Sequence, residues 1–140
     1  MAEKFYEILE HTADIGVRVK AKDLKALFCN CARAMFDIIA EKKESSRAVK
    51  HKLKIAGKAQ DTEELFINWL NELLSLSSAR GLIFSDFEIK SLSENSFEAI
   101  VSGEISQSYK VNKEIKAATY HELQITRIGN IWKAEVIFDV

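Results

Sequence analysis

The chain has 140 residues and a formal net charge of −1, and 47% of its residues are hydrophobic and 29% charged. This length and composition are typical of one globular domain over residues 1–140 that buries about two-thirds of its unfolded surface. A near-neutral charge argues against a protein that coats nucleic acid by itself, because that needs a basic surface. The apolar runs are too short to span a bilayer, and no hydrophobic signal segment opens the chain. We therefore expect a cytoplasmic protein without membrane association.

The first two predicted strands flank a short polar interruption. Residues 5–9 and 15–19 alternate apolar and polar side chains, as half-buried strands do. The interruption at residues 10–14 reads EHTAD and brings oxygen ligands together without thiols, which is what a hard divalent cation requires. Taken alone, Asp14 is better explained as a turn carboxylate that accepts backbone N–H bonds, and His11 as a hydrogen-bonded structural histidine.

Two helices are predicted in the first part of the chain. Asp23 is the expected N-cap of the first, whose apolar stripe recurs at helical spacing through residues 24–39. Asp61 and Glu64 resemble a capping box at the start of the second, and Gly81 suits its C-terminal end. The predicted buried stripe of the second helix comprises Leu65, Phe66, Trp69, Leu70, Leu73 and Leu76.

The chain has two cysteines, Cys29 and Cys31, both within the first predicted helix. Positions i and i+2 of a helix do not face each other, so these thiols cannot easily form a disulfide or bind one metal together. We expect free cysteines in the core, as in a reducing cytosol.

A locally basic stretch at residues 42–52 follows the first helix. The pattern favours a solvated loop and a strand edge, with residues 49–55 as the strand. Contact with a polyanion is the alternative interpretation.

The chain beyond Gly81 is predicted to be β-structure. A polar turn surrounds Glu94 and Asn95, and the last hairpin is centred on Gly129 and Asn130, a two-residue turn signal. Two main helices packed on a mainly antiparallel sheet give the α+β class.

Residues 114–121 contain a third group of candidate functional side chains. Strand alternation places Lys116 and Tyr120 on one face and Thr119 and His121 on the other. The small residues Ala117 and Ala118 leave room for another molecule to approach. An edge strand with solvated polar groups explains the pattern slightly better.

The last predicted strand covers residues 132–138 and is followed by Asp139 and Val140, which place a side-chain and a main-chain carboxylate one residue apart. Alternation puts Asp139 on the face opposite the apolar side chains, so it does not point into the main core. The sequence contains no phosphate loop, dinucleotide fingerprint or zinc motif. Spacing arguments alone give no reaction.

These same segments closely resemble the archease family. The matching blocks read YEILEHTADIG at residues 6–16, ARAMF at 32–36, WLNELL at 69–74, IKAATYH at 115–121 and AEVIFDV at 134–140. They occur in this order and span almost the whole chain. The chain departs from the expected family pattern after the Gly-Glu pair, where residues 103–110 read GEISQSYK without the expected acidic residue and histidine.

The resemblance implies a protein cofactor of an enzyme, with no catalytic residues of its own. Its partner would be the tRNA-splicing RNA ligase, which joins 3′-phosphate or 2′,3′-cyclic-phosphate RNA ends to 5′-hydroxyl ends. Archeases are thought to promote guanylylation of the ligase's active-site histidine and multiple turnover, and to meet RNA only through the ligase.

The resemblance also implies a set of functional residues. The family's cation, generally described as calcium, maps onto Asp14, Asp139 and the main-chain carboxylate of Val140. Beside them, we expect His11, Lys116 and His121 to contribute to activation of the partner.

Two alternatives from other classes remain open. One is a small metal-dependent phosphoester hydrolase that uses His11 or His121 as base. The other is an RNA-binding adaptor that uses residues 42–54. Phosphoester turnover by the isolated protein would favour the first, and salt-dependent affinity for tRNA alone would favour the second.

Overall fold

A computed structural model describes residues 5–10, 13–44 and 48–140. The two helices are α1 (Leu24–Ile39) and α2 (Thr62–Arg80). The strands are β1 (Tyr6–Glu10), β2 (Asp14–Ala21), β3 (Ala40–Lys42), β4 (His51–Lys58), β5 (Leu82–Leu92), β6 (Ser96–Ile105), β7 (Tyr109–Val111), β8 (Ala117–Ile128) and β9 (Ile131–Asp139). A single 3₁₀ turn, Ser106–Ser108, precedes β7.

The strands form three antiparallel sheets in the described part of the chain. One has the order β1-β2-β9-β8, the second has the order β4-β6-β5, and β3 pairs with β7 in a short ribbon. The α+β class is confirmed, although the strands are divided among three sheets rather than joined in one. No helix within the described ranges has the length and apolar character needed to cross a membrane.

The helix ends lie where the sequence predicts them. The N–H groups of Ala26 and Glu64 donate to the Asp23 and Asp61 carboxylates, each at 2.8 Å. These caps satisfy donors that have no partner within the helix. Gly81 ends α2 in the left-handed conformation, with φ +64°, which a residue without Cβ adopts at little cost.

The core forms where the two helices meet the sheets. Helix α1 packs on β2 and β5, and α2 packs mainly on β8. The fully buried Trp69 of α2 donates its indole N–H to the main-chain oxygen of Phe28 in α1 at 2.9 Å. The Phe28 and Phe66 rings meet edge to face at 5.0 Å. Of the predicted α2 stripe, only Leu76 is merely half-buried.

Both cysteines are free thiols, as predicted. Cys31 is fully buried, and the thiol of half-buried Cys29 donates to the main-chain oxygen of Phe87 at 3.6 Å. Burial raises the pKa of both thiols because a thiolate would lose its hydration. The two cysteines therefore act as small core residues.

Candidate metal and partner-activation site

Two aspartates far apart in the sequence are direct neighbours at one end of the four-stranded sheet. The antiparallel register of β2 and β9 places Asp14 opposite Asp139. Side chains of directly opposite residues share one face, with Cβ atoms about 4.5–5.5 Å apart. Asp14 is half-buried and Asp139 exposed. Like charges in this arrangement destabilise a sheet, so a cation between them would relieve their repulsion.

The pair lies on the face of the sheet that turns away from the helices. In β9, Ala134, Val136 and Phe138 are buried in the core, and Asp139 is exposed on the other face, as the alternation predicts. Ile137 shares the face of Asp139 but is only 5% exposed. Ile137 lines a cavity of about 260 Å³ together with Leu9, Glu122 and Leu123. Ile137 is therefore buried beside this cavity and outside the main core.

The cavity wall contributed by β8 is an irregular segment. Thr119 is opposite Ile137 and Gln124 is opposite Glu135, so β8 advances five residues while β9 advances two. Glu122, within this bulge, has φ +54°, which is uncommon for a residue other than glycine. A bulge of this kind re-aims the side chains beyond it.

Lys116 and Ala117 complete the surroundings of the aspartate pair. Ala117, the first residue of β8, lies opposite Asp139 on the side away from Asp14. The main-chain N–H of Lys116 donates to the main-chain oxygen of Asp139 at 2.7 Å, and the Lys116 side chain is exposed. The structure therefore brings Asp14, Asp139, Ala117 and Lys116 together.

The predicted relation between Lys116 and His121 was wrong. Lys116 precedes the first residue of β8, and the bulge between Thr119 and Gln124 interrupts the alternation before it reaches His121. The two residues therefore do not lie on opposite faces of one regular strand. Both side chains are exposed. The other predicted partner-activation residue, His11, lies outside the described residues.

Val140 follows Asp139 immediately. Its side chain is half-buried and packs against the hydrophobic core. This contact holds the segment beside the aspartate pair, because an apolar side chain in the core restricts the motion of its main chain.

The donor atoms at this end of the sheet suit a hard cation. Carboxylate and main-chain oxygens are preferred by calcium, whereas zinc and copper favour sites with thiol or imidazole ligands. Within the described ranges, no group of three or more His, Cys, Asp or Glu side chains is placed to hold a metal. For a cation at this end of the sheet, the aspartate pair would supply two side-chain ligands, and a complete shell would need main-chain oxygens and water as well.

One residue near the site was not singled out by the sequence analysis. The side-chain oxygen of Asn71, in α2, accepts the Ala118 N–H at 2.8 Å, and its amide nitrogen donates to the Ala118 oxygen at 3.1 Å. Its sequence clue is that a polar residue interrupts the largely apolar run LFINWLNELL. In the structure, this residue lies on the side of α2 that meets β8. Its partner could not be read from the sequence.

An open groove of about 910 Å³ begins beside Lys116. Its walls are the second half of α2 and residues 111–117, which connect β7 to β8. Leu74, Ile83 and Ile115 line it together with Lys113 and Lys116. The groove thus joins apolar surface to Lys116, whose main chain is bonded to Asp139.

The predicted basic segment is partly neutralised within the protein. The Lys42 ammonium nitrogen lies 2.8 Å from Oε2 of Glu104, outside hydrogen-bond geometry, and Glu104 is buried. Lys50 forms an ion pair with Asp86. Strand β4 begins at His51, and Val49 lies before it and is exposed. This supports the interpretation as a solvated loop and strand edge.

Comparison with known proteins identifies the class. The archease protein family (MTH1598/TM1083) matches residues 6–140. The protein archease of Methanosarcina acetivorans is 35% identical over 98% of this chain and 97% of its own length. That of Pyrococcus furiosus is 32% identical over 96% of this chain and 98% of its own length. The chain therefore belongs to the archease protein family.

Two solved structures share the fold. The solution structure of protein 1598 from Methanobacterium thermoautotrophicum has a TM-score of 0.76 and 26% identity, and covers 99% of this chain and 100% of its own. The crystal structure of an archease, a possible chaperone, from Thermotoga maritima has a TM-score of 0.66. It is 24% identical and covers 94% of each chain, so that likeness concerns the fold alone.

Proposed function

We propose that this protein activates the tRNA-splicing RNA ligase. It would promote guanylylation of the ligase and permit multiple turnover while joining no RNA itself. Membership of the archease family supports this proposal, since the sequence resemblance implies that role.

The proposal includes a calcium ion held by Asp14, Asp139 and Val140. The observation that carries it is the direct opposition of Asp14 and Asp139 across two strands. Among the described residues, neither the Asp14 nor the Asp139 side chain forms an ion pair. By contrast, Arg18 lies opposite Glu135 in the same two strands and contacts its carboxylate at 2.6 Å.

The residues around the pair suggest how it would act. Calcium, when bound, would supply the positive charge that keeps two carboxylates close together. Asp139 and Lys116 are exposed, so they could enter a cleft of the ligase with the main chain held by the Lys116-to-Asp139 hydrogen bond. Placing fixed charges beside a reacting phosphate is an effective form of electrostatic assistance. The ligase would supply the nucleophile and its catalytic metals.

The test is a ligation assay with limiting ligase and excess RNA that carries a 2′,3′-cyclic phosphate and a 5′-hydroxyl. With wild-type protein and calcium, we expect product well beyond one equivalent of ligase and a larger guanylylated fraction. Equal turnover and equal guanylylation without the protein would refute the proposal.

The same samples address the two alternative functions. Phosphoester hydrolysis by the protein alone would favour a hydrolase. Salt-dependent binding of tRNA without the ligase would favour an RNA-binding adaptor. The ion pairs of Lys42 and Lys50 argue against the adaptor, because they use part of the positive charge that it would need.

A further inference from the structure

The amide of Asn71 makes an unusual pair of hydrogen bonds next to the proposed site. It accepts from the Ala118 N–H and donates to the Ala118 carbonyl, so one side chain satisfies both main-chain polar groups of that residue. Strand β8 is the edge of its sheet, where such groups lack a neighbouring strand. The side chain of Asn71 therefore gives Ala118 the two hydrogen bonds that a neighbouring strand would otherwise provide.

These bonds act at the point where residues 112–116, the linker between β7 and β8, enter β8. Lys116 is two residues before Ala118, and its own N–H is held by the Asp139 carbonyl at 2.7 Å. Ala117 lies between the two attachments and opposite Asp139. The path of the chain at Lys116 is thus set by two contacts, one from the terminal strand and one from helix α2.

We propose that Asn71 is a positioning residue, which fixes Lys116 relative to Asp14 and Asp139 for action on the ligase. This inference rests on the proposed function. A surface lysine on a loosely held linker would sample many positions, and the loss of that freedom on binding would weaken the complex. The bonds from a core helix remove much of this freedom before the partner binds. Asn71 itself is half-buried and acts through Lys116.

The first experiment compares Asn71→Ala with Asn68→Ala. Asn68 lies one turn earlier on α2 and is exposed, so its substitution makes the same chemical change without the contact to Ala118. For Asn71→Ala we expect the protein concentration that gives half-maximal ligase activation to rise about tenfold, which is the scale of two lost hydrogen bonds. For Asn68→Ala we expect no change beyond about twofold. Equal values for the two variants would overturn the inference.

The second experiment separates positioning from a general loss of stability. If Asn71 acts through Lys116, Asn71→Ala should add almost nothing in a protein that already carries Lys116→Ala. Fully additive effects of the two substitutions on activation would show that Asn71 acts by another route. Calcium affinity should stay within about twofold of wild type, because Asp14 and Asp139 lie on β2 and β9. Asn71→Asp gives a variant of the same size that keeps the acceptor for Ala118, in case Asn71→Ala folds poorly.

A measurement without the ligase completes the test. Amide hydrogen exchange should be faster at Lys116 in Asn71→Ala than in wild type, with unchanged exchange at Val17 in the centre of the sheet. Unchanged exchange at Lys116 would overturn the inference even if activation fell. If wild-type protein failed to activate the ligase, the proposed function would fall and this inference with it. Activation by wild type and Asn71→Ala alike would overturn the inference alone.

Discussion

The Arg18 guanidinium contacts the Glu135 carboxylate at 2.6 Å on the same face of the same two strands where Asp14 meets Asp139. The hydrogen bond and the charge of Glu135 raise the pKa of Arg18, so the guanidinium stays charged at any physiological pH. Three cross-strand pairs on this face are charged: Arg18–Glu135 is compensated within the protein, Lys20–Lys133 brings two positive charges together, and Asp14–Asp139 brings two negative charges together. The aspartate pair, at the end of the sheet, is the one that a cation would stabilise.

Substitution Asp14→Asn should change stability in opposite directions with and without calcium. Without calcium, the free energy of unfolding should rise by about 0.5 kcal/mol, because one of two opposed charges is removed. With calcium, wild type should gain stability by ligand linkage and the variant much less. Urea unfolding with and without calcium, together with calorimetric calcium titration, measures both effects.

A suitable control for that experiment is Glu94→Gln, which removes one charge from an exposed turn far along the chain from the site. It should leave calcium affinity and activation unchanged. Equal calcium binding by wild type, Asp14→Asn and Glu94→Gln would refute the metal site.

Substitution Lys116→Ala should weaken ligase activation and leave the fold intact. Its side chain is exposed, so the free energy of unfolding should change by less than about 0.5 kcal/mol. Lys113→Ala is the matched control, since Lys113 is an exposed lysine of the same linker. Activation measured at limiting protein concentration should fall for Lys116→Ala alone. A similar response from both variants would remove Lys116 from the site.

Replacing Lys42 should destabilise the protein more than replacing its ion-pair partner Glu104. Lys42→Met should lower the free energy of unfolding by about 3 kcal/mol, because it leaves the Glu104 carboxylate, which is 2% exposed, without its ion-pair partner. Glu104→Gln should cost only about 1 kcal/mol, since the half-exposed Lys42 can turn to water. Urea unfolding of both variants measures the difference.

The exposed pair of Lys90 and Glu88 offers the comparison for this prediction. Lys90→Met should change stability by less than about 0.5 kcal/mol, as surface ion pairs contribute little. If Lys42→Met lowered the free energy of unfolding no more than Lys90→Met, the pair of Lys42 with the buried Glu104 would not stabilise the fold.

The two thiols should be unreactive in the folded protein. Burial raises the pKa of both, so little thiolate is present at pH 8 and a disulfide reagent should label Cys29 slowly and Cys31 more slowly still. Because the folded pKa values are raised, the thiols should not affect stability below about pH 8.5, and the free energy of unfolding should fall above it. Thiol labelling in buffer and in urea, with urea unfolding at neutral and alkaline pH, tests both statements. Rapid labelling of native Cys31 would contradict the structure.

Much of the local structure follows from the sequence. Asp23, Asp61 and Gly81 mark the helix ends because a cap needs only a carboxylate or a missing Cβ within a few residues. Alternation in the last strand places Asp139 on the face opposite Phe138, because strand geometry has a period of two. The family resemblance also rests on local blocks of sequence, and the comparisons confirm it.

The arrangement of the site depends on contacts between distant segments, which the sequence does not encode in any local pattern. Asp14 meets Asp139 only because β2 pairs with β9 in one particular register. The bulge in β8 interrupts the alternation between Lys116 and His121, since β8 advances five residues from Thr119 to Gln124 while β9 advances two. Asn71 finds Ala118 because α2 packs against the edge strand. Local propensity and periodicity determined the elements, and the packing of apolar faces decided which polar groups came together.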